Sequence, residues 1–130
     1  MLEFHLDRSS GVPSYRQLVD QVKHALRLGI LQPGDQVPTT REVVAKLAIN
    51  PNTVLRAYRD LEHEGLVIGR PGLGTFIQRG LGGTSLADHT ALRSALGQWV
   101  DSARSAGLVQ EDLHALFLAV VTESYRADTA

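Results

Sequence analysis

The 130-residue chain has no cysteine, which excludes disulfides and thiolate zinc sites and is compatible with a reducing compartment. Aromatic residues are scarce at 5%, although a hydrophobic share of 43% is enough to build a core. Charge of one sign is equally scarce, with 13 Lys and Arg against 14 Asp and Glu, for a net charge of −1. No apolar run approaches the roughly 18 residues of a membrane span, and no charged-then-apolar start precedes a small-residue cleavage site. The expectation is a soluble, cytoplasmic protein of one domain, or a small domain with an appendage.

Catalytic and metal-binding patterns are missing too. His5, His24, His63, His89 and His114 show no H-x-x-x-H or H-E-x-x-H pairing. Glu62 and Glu64 are two apart on a helical pattern and face different directions. Gly72-x-Gly74 precedes a strand pattern and lacks the third glycine and the Lys-Ser/Thr pair of phosphate-binding loops. No catalytic residue, metal or cofactor is expected.

What the chain does contain is concentrated in residues 39–77. Thr39 to Glu42 is a T-x-x-E capping box, which starts a short helix with Val43, Val44 and Leu47 on its apolar side. A tight turn comes next at Ala48-Ile49. Asn50 then caps a second helix with Pro51 in the first position, where the missing N–H costs nothing. Val54, Ala57, Tyr58 and Leu61 give that helix one buried face, and Gly65 stops it. Two short helices in this register form a helix-turn-helix, which places its second helix in the major groove of DNA.

The side opposite the apolar stripe carries Asn52, Arg56, Arg59 and His63. Asn52 and Arg56 lie nearest the N-terminal end, which enters the groove in this motif. Asn pairs bidentately with adenine and Arg with guanine, while Thr53 is short enough to meet a phosphate oxygen. Polar residues opposite an apolar stripe also describe a plain solvated face, but that does not account for the preceding helix, the turn and the wing together. Leu66-Val67-Ile68 and Thr75-Phe76-Ile77-Gln78 flank turn chemistry at residues 70–74, which predicts a β-hairpin wing. Its glycines allow close backbone approach to a sugar-phosphate, and Arg70 beside the tip can meet phosphates or a narrow minor groove.

Upstream, Pro13-Ser14 opens a helix running to about Gly29, with Ser14 and Gln17 as another capping-box pattern. Tyr15, Leu18, Val22, Ala25 and Leu26 form its core stripe. Residues 32–35 read as a turn, and residues 2–6 as a short extended arm. The fold class is therefore mainly α with a small β wing: a winged helix-turn-helix over residues 1–79. Residues 80–85, GLGGTS, read as a linker.

Residues 86–130 read as a helical hairpin. Leu92, Leu96, Trp99, Val100 and Ala103 mark its first helix, which Gly107 ends, and Leu113, Leu116, Phe117, Val120 and Val121 mark the second. Residues 115–121, ALFLAVV, are apolar all round, so Leu118 cannot share the face of Phe117 and Val121. A helix apolar on every side is usually buried on every side, and two helices cannot do that alone. A second copy of the chain can, so a homodimer is expected through this hairpin. Packing of Leu118 on the chain's own winged domain is the alternative.

The blocks at residues 13–18 (PSYRQL), 29–35 (GILQPGD), 37–42 (VPTTRE), 50–54 (NPNTV), Ala57-Tyr58, Leu61-Glu62 with Gly65-Leu66, and Gly72 with Gly74-Thr75-Phe76 resemble the GntR family of transcription regulators, and within it the short YtrA-like subfamily. The resemblance covers residues 13–77; beyond them it is one of length and helix count. It implies DNA contacts at Arg41, at the opening of the recognition helix and at the wing glycine, here Gly72. Many relatives have Ser-Arg where this chain has Asn50-Pro51, which removes one basic contact, although N-P-N-T-V is typical of the YtrA-like group. The position after Val54 is often polar or Arg and is Leu55 here, which leaves more of the readout to Arg56. About fifty residues lie beyond the wing, too few for the ligand-binding or aminotransferase-like domains of longer relatives, so no pyridoxal phosphate motif is expected.

Charge divides unevenly. Residues 1–79 hold ten Lys and Arg against eight Asp and Glu, whereas residues 80–130 hold three against six. The slight positive excess falls on the half with the DNA-reading pattern, so moderate non-specific affinity and greater dependence on site-specific contacts are expected. The expected interface comprises Thr39, Thr40, Arg41, Asn50, Asn52, Thr53, Arg56, Arg59, Arg70 and Gly72. The expected function is a homodimeric repressor on a two-fold symmetric DNA operator, released by a small-molecule effector if one exists. Its pocket would lie between the hairpin and the winged domain. The resemblance also implies a neighbouring membrane-transporter operon among the controlled genes. The rival is a protein-interaction module on a winged scaffold with little DNA binding, supported by the near-neutral charge.

Overall fold

The computed structural model describes residues 2–82 and 89–129. The chain divides into two compact units, residues 1–88 and 89–130. Part of the expected linker, residues 83–85, lies outside the described residues.

The first unit is built on α1 (Ser14–Arg27), α2 (Thr40–Leu47) and α3 (Pro51–His63), followed by β1 (Val67–Arg70) and β2 (Gly74–Ile77). α1 buries Leu18, Val19, Val22, Ala25 and Leu26 against the inward stripe of α3, made of Val54, Ala57, Tyr58 and Leu61. Leu18, Val22, Val54, Ala57 and Leu61 are completely buried, so these two helices carry the centre of the core. The expected stripe of α1 omitted Val19, and Tyr15 is only partly buried.

Local chemistry sets the ends of the helices. The Thr39 hydroxyl accepts the Glu42 N–H at 3.1 Å and opens α2. Ala48 then turns the chain in the left-handed region, φ 54°, with its N–H on the Val44 carbonyl at 2.9 Å. Asn50 Oδ1 accepts the Asn52 N–H at 2.8 Å and opens α3, with Pro51 in the first position. Gly65, φ 75°, ends α3 and lets the Leu66 N–H reach the Leu61 carbonyl at 3.0 Å.

The capping box expected at Ser14 and Gln17 does not form. Pro13, in extended conformation, occupies the cap position, and Ser14 is already helical. Gln17 is engaged elsewhere: its Oε1 accepts the Asp7 N–H at 2.9 Å, and its amide donates to the Asp7 and Val12 carbonyls. The N-terminal arm is a packed part of the unit. Gln21 clamps His5 by both backbone groups, Phe4 is 3% exposed and meets the Tyr58 ring, and Arg8 donates to the Leu47 carbonyl at the end of α2.

β1 and β2 pair antiparallel from Val67–Ile77 to Arg70–Gly74, which leaves residues 71–73 as the tip. β2 is bonded on its other edge too. Gln36 bridges Phe76, Val37 N–H donates to the Thr75 carbonyl at 3.0 Å, and Ile77 N–H donates to the Asp35 carbonyl at 2.8 Å. The turn expected at residues 32–35 therefore leads into a third pairing segment that roots the wing in the core.

Tyr58 ties α3 to the segment before α2 by donating its hydroxyl to the Pro38 carbonyl. Burial first, and the Glu42 carboxylate second, push its pKa well above the usual tyrosine value. The folded state favours the neutral phenol, so its contribution is intact below about pH 10 and is lost as pH rises above that. Tyr58→Phe should cost about 1–3 kcal/mol at pH 7, because the Pro38 carbonyl loses its donor. Urea denaturation at pH 7 and 10.5 should show the gap from the parent narrowing at the higher pH. An unchanged midpoint at pH 7 would remove this bond from the account.

The second unit is α4 (Thr90–Ser105) and α5 (Gln110–Thr129), joined by a turn in which Gly107 takes φ 90°. Its buried residues, among those described, are Ala103 and Leu113, both near the turn. Farther along, Leu96, Trp99, Val100, Leu113 and Phe117 border an open apolar groove of about 330 Å³. Leu92, Leu96, Leu116, Phe117, Leu118 and Val120 are all exposed, and Trp99, Val100 and Val121 are partly covered. No helix among the described residues is long and apolar enough to cross a membrane.

Candidate nucleic-acid interface

Two helix starts and the wing supply the candidate surface of the first unit. Thr39 and Thr40 at the start of α2, Glu62 of α3 and wing residues 69–75 border one open cleft of about 680 Å³. That cleft brings together Thr39, Thr40, Arg70 and Gly72 of the expected interface. Arg41 is exposed on the first turn of α2, and Asn50, Asn52 and Arg59 are exposed along α3, with Thr53 half-buried.

Two of the candidates are already engaged as caps. The Thr39 hydroxyl accepts the Glu42 N–H and donates to Glu42 Oε1 at 3.1 Å. Asn50 Oδ1 holds the Asn52 N–H, which leaves the Asn50 amide NH₂ as its outward donor.

Arg56 lies with its guanidinium carbon 3.7 Å from the centre of the Tyr15 ring. A stacked guanidinium keeps its in-plane N–H donors available while losing rotamer freedom, so Tyr15 of α1 pre-orients it. Arg70 sits 5.7 Å from the Phe76 ring centre on the wing. Arg16, Lys23 and Lys46 are held in ion pairs, and none of them belongs to this surface. Arg41, Arg59 and Arg70 are exposed on it.

The wing tip is braced from behind. Gln36 Nε2 donates to the Leu73 carbonyl at 3.2 Å, and a Cβ on Gly74 would lie 2.5 Å from that nitrogen. Gly72 is different: φ is 75°, but nothing lies within 4 Å of where its Cβ would be. Gly72→Val should therefore leave the core intact and strain only the tip, weakening DNA binding about tenfold through lost backbone approach. Circular dichroism and gel shift check this; parental affinity would make the wing a structural cap only.

Sequence reasoning did not place Tyr15, Gln36 or Glu62 on or behind this surface. Glu62 was legible as a polar helix position, but its place beside the wing is a matter of packing. Gln36 carried no local signal. Among the described residues, no group of three His, Asp or Glu side chains could hold a metal ion.

Residues 14–77 match the family described as bacterial regulatory proteins, gntR family. The HTH-type transcriptional repressor YtrA of Bacillus subtilis is 36% identical over 110 residues, 84% of this chain and 85% of that protein. The HTH-type transcriptional regulator Rv1152 of Mycobacterium tuberculosis is 38% identical over 109 residues, 82% and 84% of the two chains. Among solved structures, YtrA from Sulfolobus acidocaldarius, a GntR-family transcription factor, superposes with a TM-score of 0.54 at 27% identity, over 75% of this chain and 96% of that one. Together with the capped helix-turn-helix and its rooted wing, these likenesses identify a non-enzymatic, DNA-binding transcription regulator: the chain belongs to the GntR family, in its YtrA-like branch.

Proposed function

We propose that two copies of this chain associate through the α4–α5 hairpin and repress transcription in the cytoplasm by occupying a two-fold symmetric operator. The observation that carries the homodimer is the run of exposed apolar side chains on α5, at Leu116, Phe117, Leu118 and Val120, beside the open groove. Apolar area of this extent left in water is unfavourable by about 25 cal/mol per Å², and a second hairpin removes it symmetrically. Each recognition helix enters one major groove, with half-sites about one helical turn apart. Arg41 and Thr53 contact phosphates, Asn52 and Arg56 contact base edges, and the wing meets the flanking backbone. A small-molecule effector acts, if present, by changing the spacing of the two heads.

The test compares Arg56→Ala and Arg41→Ala on DNA enriched from a randomised duplex pool and on random DNA, at two salt concentrations. Arg56→Ala should cost about 1–3 kcal/mol on the enriched site and relax preference at one base pair per half-site. Arg41→Ala should weaken all sequences alike and lower the salt slope by about one. Equal losses on both DNAs for Arg56→Ala would assign it to the backbone.

A further inference from the structure

Leu55 has no structural task that its exposure would explain. It is 45% exposed on α3, although Val54, Ala57, Tyr58 and Leu61 already fill the inward side of that helix. At 100° per residue it stands about 60° from Asn52 and about 40° beyond Arg59, so it flanks the outward polar strip. Glu62, seven residues on and only about 20° away around the axis, borders the cleft shared with the wing and the start of α2. Leu55 therefore occupies the wing-side edge of the reading strip near its N-terminal end. Arg56, stacked on Tyr15, marks the opposite edge.

A leucine offers neither donor nor acceptor, so it cannot read the N7, O6 or N4 groups on the floor of the major groove. The apolar feature exposed there is the thymine C5-methyl group. An apolar side chain set against any other base edge would strip water from polar atoms without replacing their hydrogen bonds, which is unfavourable.

We infer that Leu55 is a specificity-determining residue that selects one thymine per half-site by packing on its C5-methyl. The inference rests on major-groove reading by α3 and adds an apolar contact to the polar ones.

The full-length protein is first used to enrich sites from a randomised duplex pool. Each thymine of the enriched site is then replaced in turn by deoxyuridine, which keeps base pairing and removes only the methyl. One position per half-site should lose about fourfold in affinity, the worth of one buried methyl-sized group. In Leu55→Ala, which removes an exposed side chain and leaves the core untouched, that loss should disappear. Leu55→Gln should enrich a different base at the same position. Tolerance of every deoxyuridine by the parent, or equal losses in parent and Leu55→Ala, would overturn the inference while leaving DNA binding standing. Failure to enrich any sequence would overturn the groove-reading function as well.

Discussion

Phe117→Asp should convert the protein to a monomer and lower operator affinity by roughly two to four orders of magnitude, with the winged unit still folded. Phe117 is 48% exposed and borders the hairpin groove, so a carboxylate there disturbs little within one chain. In a dimer it would be buried without a partner, and an unpaired buried charge opposes association strongly. The DNA effect is large because one head reads only a few base pairs. A first unit with ten basic against eight acidic residues over positions 1–79 adds little non-specific attraction. Linking two heads makes the second half-site encounter intramolecular, and separating them forfeits that gain without altering a single DNA contact. Analytical ultracentrifugation beside a gel shift checks both parts. A fragment of residues 1–79 that stayed dimeric, or bound with full affinity, would move the interface into the winged unit.

Leu61→Ala should act on folding instead of assembly. Leu61 is completely buried, packs with α1 and the start of the wing, and its carbonyl receives the Leu66 N–H just beyond the end of α3. Truncation removes the transfer free energy of the buried atoms and leaves a cavity, together about 2–5 kcal/mol. That is a large part of the roughly 5–15 kcal/mol of a small domain, so Tm should fall by more than about 10 °C. Leu55→Ala, on the same helix but exposed, should move Tm by very little. Scanning calorimetry of the two variants separates the buried face of α3 from its exposed one. Equal small shifts would mean that α3 is not anchored as its burial implies.

Much of the first unit was legible because its signals are local. Thr39 and Asn50 work through N–H groups two or three residues away, and Gly65 works through its own φ angle. Such bonds depend on little beyond their neighbours in the chain. Where an equally local pattern failed, a distant competitor was responsible: Gln17 satisfies the backbone of Asp7 and Val12, so its pairing with Ser14 is lost. Phe4 escaped notice as a core residue because a lone aromatic in a short arm has no periodicity. Its burial depends on Gln21 clamping His5 and on the Tyr58 ring beside it.

Residue order alone determined the two capped helices, the stop at Gly65, the hairpin tip and the apolar stripe of α3, since each is set by backbone sterics or the helical repeat. Tertiary packing decided what borders the outward side of α3. Arg56 is oriented by a ring one helix away, and Glu62 meets a wing that folds back beside the end of α3. The third pairing segment at residues 35–37 was likewise decided in three dimensions, by the free edge of β2. A strand edge carries unpaired N–H and C=O groups whose partner is chosen by proximity, and periodicity along the chain does not encode which distant segment will arrive there.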